Sequence, residues 1–244
     1  MVLATRLTVT ARIGIFALEN FHMTITIHTY REMLDRLGEG VQLVAVSKTK
    51  PPADILELYA MGQRDFGENY VQELVEKQGE LPADIRWHFI GHLQTNKVKM
   101  LISFVHLVHG VDSVRLLKEV DKQAGLKGRV VDVLLQVHVA KEETKFGLDA
   151  EELDAAMREW RDGAMRGEFA HVRVRGLMGM ASNTPDVTAV RAEFRGLKGM
   201  LDRYFPEGGI LSMGMSADYE IAVEEGSNMV RIGSLLFGER GQKR

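Results

Sequence analysis

Leu43-Val44-Ala45-Val46-Ser47-Lys48-Thr49-Lys50-Pro51-Pro52 decides how this chain is read. Val44 and Val46 alternate with the small Ala45 and Ser47 in a short apolar run, as in a parallel strand covered on both faces. The proline pair then stops the strand and opens a helix, because proline is tolerated in a first helical turn but cannot donate to a ladder. Lys48 is thereby placed at the carboxyl end of a strand, where α/β proteins keep their chemistry. The plain alternative is a lysine that lays its stem along the strand end and keeps its ammonium in water.

Outward from that stretch, strands and helices alternate. Upstream, Tyr30, Met33, Leu34 and Leu37 recur at helical spacing and Gly38 with Gly40 ends the segment, so 28–37 reads as a helix ahead of the first strand. Downstream, a helix from Pro52 to Met61 leads to a second strand, Arg64-Asp65-Phe66, which runs into Gly67-Glu68-Asn69 and a helix carrying Tyr70, Val71, Leu74 and Val75. The third strand is Arg86 to Ile90, ending at Gly91-His92 before a helix with Val98, Leu101 and Ile102. Leu107-Val108-His109 is a weaker fourth, with Asp112-Ser113 capping a helix from Val114 to Ala124. The most apolar strand is Val131 to Val137, whose loop covers Ala140 to Gly147 before a helix near Asp149. Val172 to Met178 precedes the loop Ala181-Ser182-Asn183-Thr184 and a long helix from Pro185 to Tyr204. Ile210 to Met213 is followed by Gly214-Met215-Ser216 and a helix from Tyr219 to Glu225, and Met229 to Ile232 by Gly233-Ser234. Eight strands, each followed by a helix or helix start, predict an α/β fold: a single (β/α)8 TIM barrel with an extra N-terminal helix.

The expected barrel domain is 23–244, with 1–22 a non-core N-terminal extension. That extension bears arginines, has no acidic residue before Glu19 and precedes a second methionine, Met23, which is an alternative start. Its apolar patch, Ile13 to Leu18, is too short for a signal-peptide core and lacks a small-residue cleavage site. Composition excludes several classes. A net charge of -3 without a basic block gives no electrostatic case for nucleic acid, and no apolar run approaches the roughly 18 residues of a membrane span. The absence of cysteine removes disulfides, thiolate metal sites and cysteine nucleophiles, and suits a reducing, cytoplasmic setting. No H-E-x-x-H or paired-aspartate spacing is present, so no metal is expected.

Closure of the barrel would bring the residues just after each strand to one face: Lys48, Asn69, His92, Asp112, Lys145, Ser182, Ser216, Arg231, Gly233 and Ser234. Phosphates in this fold commonly sit at the loops after strands seven and eight. Gly214-Met215-Ser216 and Gly233-Ser234 occupy those loops, and small residues let a backbone approach an anion closely. A lysine facing such a site suggests an aldehyde phosphate held as a Schiff base, with Lys48 made nucleophilic by desolvation and by Arg231 or Lys145 nearby. A sugar phosphate and pyridoxal 5′-phosphate (PLP) both answer that description. Barrel aldolases carry their lysine on a late strand and barrel PLP proteins on the first, where Lys48 stands. His88, inside the third strand, reads as a core or hydrogen-bonded histidine. His92 leaves a loop role and a cofactor-pocket role both open. Trp87 and Trp160 read as packing residues, and Met178, Met180, Met213 and Met215 as core and pocket walls.

Five blocks carry a family resemblance: Ala45 to Pro51, Phe66-Gly67-Glu68-Asn69-Tyr70-Val71-Gln72-Glu73, Trp87-His88-Phe89-Ile90-Gly91-His92-Leu93-Gln94, Leu211 to Ser216, and Val230 to Gly238. In this order and spacing they resemble the YggS/PROSC family of PLP homeostasis proteins, which is similar to the barrel half of alanine racemase. The resemblance implies that Lys48 is the Schiff-base lysine, that Ser216, Gly233 and Ser234 cradle the phosphate, and that Asn69 lies beside the ring. It implies that Arg231 approaches the pyridine nitrogen or the phosphate, and that Lys145 is a secondary contact. A PLP-holding protein of intracellular homeostasis is therefore expected, monomeric, with little catalysis of its own and PLP-dependent apo-enzymes as recipients. The alternative is a racemase-like PLP enzyme. Racemases of this class add a β domain, and the sequence ends six residues after Gly238.

Overall fold

The computed structural model describes residues 27–140 and 146–238. The expected extension, Met1 to His22, and Lys145 lie outside the described residues. Helix α1 (Ile27–Leu37) precedes β1 (Gln42–Val46), α2 (Pro52–Ala60), β2 (Asp65–Glu68), α3 (Val71–Glu80) and β3 (Arg86–Phe89). A 3-10 turn and the short α4 (Val98–Leu101) lead to β4 (Leu107–Val111), α5 (Val114–Leu126), β5 (Val131–Val137) and α6 (Ala150–Met165). The chain closes with β6 (Val172–Gly179), α7 (Val187–Tyr204), β7 (Ile210–Ser212), α8 (Tyr219–Glu224), β8 (Met229–Ile232) and α9 (Ser234–Phe237). All eight strands are parallel, and β1 pairs with β8 from Gln42↔Met229 to Ala45↔Ile232, so the sheet is a closed barrel.

Helix starts follow local chemistry. Pro51 and Pro52 stand at the N-cap and first position of α2. Ser113 Oγ accepts from the Leu116 N–H at the start of α5, and Asp149 with Glu152 forms a reciprocal capping box on α6. Asp186 accepts from the Thr188 and Ala189 N–H groups, so α7 begins at Val187, two residues after the proline that the sequence suggested. Val190, Phe194, Leu197, Leu201 and Tyr204 then bury one face of α7. Strand β2 starts one residue later than expected and continues through Gly67 and Glu68, all four residues being buried. Strand β4 runs on to Val111, with an irregularity between Val108 and Val111. Among the described residues no helix is long and apolar enough to cross a membrane.

Two apolar layers result. The larger fills the space between strands and helices and includes Leu43, Ala45, Phe66, Phe89 and Phe194, with Trp87 packed on Phe66 and Trp160 at its edge. The smaller lies inside the barrel: Val44, Leu107, Leu134, Met178 and Met229. Strand alternation therefore turns Val44 and Val46 inward and Leu43, Ala45 and Ser47 outward.

A chain of polar side chains crosses the same interior. Asp65 Oδ1 lies 3.0 Å from His88 Nε2, His88 Nδ1 2.9 Å from His109 Nε2, and His109 Nδ1 3.0 Å from Ser212 Oγ. Arg231 Nη1 donates to Ser212 Oγ at 2.6 Å. The chain runs from the amino-terminal end of β2 to the third residue of β8, and every member is buried. Burial alone would raise the Asp65 carboxyl, but hydrogen bonds and charge from Arg86 and His88 outweigh it and hold the group well below the usual carboxylate range. Burial, then the nearby His88 and Arg231, push His109 well below its ordinary value of 6.5. His88 is thus the hydrogen-bonded core histidine that its mid-strand position suggested.

Both depressed groups make the fold acid-labile. As pH falls below the ordinary histidine value an unfolded His109 takes up a proton that the folded one refuses, and at lower pH the same holds for Asp65. The thermal midpoint of the protein should fall steadily from about pH 6.5 downward, and less steeply at first in His109→Gln. A midpoint unchanged between neutral and mildly acid pH would contradict this.

Candidate functional site

Lys48 stands two residues beyond the end of β1. The Ser47 N–H still reaches the Gly67 carbonyl at 3.0 Å, but the chain then turns, and the Lys50 N–H closes onto the Ser47 carbonyl at 3.0 Å. Thr49 is left at φ 64°, a left-handed conformation that costs a β-branched residue about 1–3 kcal/mol. Lys77 on α3 anchors the turn. Its Nζ donates to the Ser47 carbonyl, to Glu68 Oε1 and to Glu73 Oε1, each at 2.7 Å. Glu73 Oε1 accepts the Thr49 N–H at 2.6 Å, and Ser47 Oγ donates to Glu68 Oε1 at 2.6 Å. One buried cation thus ties together both neighbours of Lys48. Burial raises the Glu68 carboxyl, Lys77 opposes that rise, and Glu68 Oε2 has no hydrogen-bond partner.

Lys48 opens into a cavity of about 310 Å³ at the carboxyl end of the barrel, which it shares with Asn69, Ser216, Arg231, Gly233 and Ser234. Val46, Ile90, Met180 and Met215 supply apolar wall. Met180 and Met215 are therefore wall, while Met178 and Met213 are core, as their positions implied. The loops after β7 and β8 meet: the Gly233 N–H donates to Ser216 Oγ at 3.3 Å. Gly214, at φ +95°, allows the first of these loops, because a Cβ there would lie 2.6 Å from the Ala222 Cβ. A Cβ on Gly91 would lie 2.3 Å from the Asn69 carbonyl, so the loop after β3 packs directly on Asn69. Asn69 Oδ1 is buried without a partner, an acceptor left over in the cavity wall.

Arg231 is the buried cation of the site. Nη1 holds Ser212, Nη2 donates to the Gly179 carbonyl at 3.0 Å, and burial lowers its pKa to about 10. It remains charged at neutral pH. Sequence reasoning gave no role to Lys50, which also lines the cavity and donates from Nζ to the Phe237 carbonyl at 2.6 Å, fastening the end of α9 beside the first strand. The Lys-x-Lys-Pro spacing was its only local signal.

His92 is placed elsewhere. It lines a neighbouring hollow with Tyr70, Gln72 and Lys97, and that hollow meets the Lys48 cavity at Asn69. His92 Nδ1 lies 3.0 Å from Asp112 Oδ2 and its ring stacks on Phe146, with centroids 4.0 Å apart. Ser182 turns to Glu193, its Oγ donating to Oε1 at 2.7 Å. Ligand atoms of Asp65 at the start of β2, His88 inside β3 and His106 just before β4 lie within 4.8 Å of one another at the opposite end of the barrel. Sequence spacing could not show this group; both oxygens of Asp65 are engaged, Oδ2 by Arg86 and Oδ1 by Arg86 and His88.

With this geometry in hand, the chain can be compared with known proteins. Residues 25–241 match the family described as alanine racemase, N-terminal domain. A pyridoxal phosphate homeostasis protein from Aquifex aeolicus is 43% identical over 214 residues, covering 84% of this chain and 91% of its own. The structure of PipY from Synechococcus elongatus with PLP bound is 36% identical, superimposes with a TM-score of 0.77, and is matched over 87% of this chain and 99% of its own. Alanine racemase from Bartonella henselae shares the fold at 15% identity and a TM-score of 0.66, over 89% of this chain and 62% of the racemase. This chain therefore belongs to the family of pyridoxal phosphate homeostasis proteins, built on the alanine racemase N-terminal domain fold.

Proposed function

We propose that this protein binds PLP in the Lys48 cavity and serves to hold the cofactor in the cell's PLP economy, with little or no catalysis of its own. One observation carries the reading: a single cavity joins a strand-end lysine, two linked glycine-serine loops and a buried arginine. The residues suit the group chemically. Bound PLP supplies an aldehyde that condenses with a lysine amine, a phosphate dianion and an aromatic ring nitrogen. Lys48 would hold the aldehyde carbon, and Ser216, Gly233 and Ser234 the phosphate, with hydroxyl and backbone donors at close range. Val46, Ile90 and Met180 would exclude water from the ring, and Asn69 would offer its unpartnered acceptor beside it.

Arg231 bears on catalysis. A guanidinium that keeps its proton at neutral pH can donate to a ring nitrogen but does not protonate it, which weakens the ring as an electron sink. That favours holding over turnover. A racemase-like enzyme is the second reading, supported by fold alone. His92, from its own hollow, and Lys145 would contact the cofactor only secondarily. The reading takes 23–244 as one barrel domain with 1–22 outside it, a monomer in the cytoplasm, and PLP-dependent apo-enzymes as recipients.

Purified protein mixed with PLP should gain a visible absorption band and Lys48→Ala should not; a colourless wild type, or a variant that keeps the band, would remove Lys48 from its role. Ser234→Ala should release PLP about tenfold faster, the loss of one hydrogen bond to a charged group, at an unchanged melting midpoint of the PLP-free protein. Equal release rates would take Ser234 out of the phosphate cradle. Loaded protein incubated with L- or D-alanine should show no sustained racemisation, and steady turnover would move the second reading ahead.

A further inference from the structure

Barrel interiors of this fold are usually packed with branched apolar side chains. Here four polar side chains cross the interior and end on the cation of the Lys48 cavity. The donors at the two ends are fixed. Asp65 is ionised and only accepts, so His88 presents Nε2–H to it. Between these ends, one hydrogen bond joins His88 Nδ1 to His109 Nε2 and another joins His109 Nδ1 to Ser212 Oγ. Arg231 only donates, so the Ser212 oxygen accepts from its Nη1. The chain therefore meets Arg231 with a lone pair of the Ser212 oxygen.

The other restraint on the guanidinium is the Gly179 carbonyl at Nη2. Two acceptors on two different nitrogens, from β7 and β6, fix the plane of the fork. Ser212 and His109 do not line the cavity, so neither would touch a ligand in it.

We propose that Ser212 and His109 are positioning residues for cofactor binding: they act on bound PLP only through Arg231, by holding its guanidinium plane towards the cavity. The inference rests on the reading of the Lys48 cavity as the PLP site. It separates the column from an inert structural filling of the barrel, because acting through one residue makes effects non-additive.

The test is a double-mutant cycle on PLP release from loaded full-length protein, read as decay of the visible band after dilution into excess competitor apo-enzyme. Ser212→Ala and Arg231→Gln should each speed release about tenfold, and the double variant should release no faster than Arg231→Gln alone, within about twofold. Multiplying rates in the double variant, or an unchanged rate in either single one, would overturn the inference. A general loosening of the barrel would speed release equally in both backgrounds. Should Ser212→Ala fail to fold, as shown by melting of the PLP-free chain, the same cycle with His109→Gln decides. Failure of the cofactor reading looks different: the wild type never gains the band, or Lys48→Ala keeps it. A band that depends on Lys48 together with an additive cycle would sink this inference alone.

Discussion

Pairing of β1 with β8 is the constraint on which the rest depends. The register from Gln42↔Met229 to Ala45↔Ile232 sets Val44 beside Arg231 and carries Val46 to the level of Gly233, with Lys48 in the turn just beyond. Residues nearly two hundred positions apart become walls of one cavity. Lys50 reinforces the seam by bonding the Phe237 carbonyl, so the first and last elements are joined both by ladder and by side chain. An open sheet with the same strands would leave the lysine at one edge and the anion loops at the other.

Around that seam the structure spends buried charge on placement. Lys77, with Glu68 and Glu73, holds a turn in which Thr49 is strained and Lys48 is exposed to the cavity. Buried ion pairs of this kind add little net stability, because desolvation offsets most of their attraction. Their consequence here is geometric: both chain neighbours of Lys48 are fixed in place. The polar column beneath Arg231 places a second buried cation from inside the barrel. Two independent networks, one outside the strands and one inside them, therefore converge on one cavity from two sides.

How much of this was legible beforehand depended on whether the signal was local. Strand alternation, proline and glycine punctuation, and the small residues after strands seven and eight located Lys48, Asn69, Ser216, Arg231, Gly233 and Ser234, and the structure brings all six together. Position at a strand end did not tell which hollow His92 would face, because its partners, Asp112 after β4 and Phe146 after β5, meet it only in the folded barrel. Glu68 was read as the start of a loop and is a fully buried strand residue, since its partner Lys77 lies two helical turns into α3. His109 and Ser212 could not be paired from sequence at all. A lone polar residue in an apolar strand has no local signature, and their contact spans the barrel. Long-range polar pairing is what composition and periodicity do not encode.

The central claim is that Lys48 is the residue that carries the cofactor. Borohydride reduction of PLP-loaded protein, followed by peptide mass mapping, tests it most directly. The account predicts one pyridoxyl group, on the peptide containing Lys48. A reduced group on Lys50 or any other lysine, with Lys48 unmodified, would contradict it.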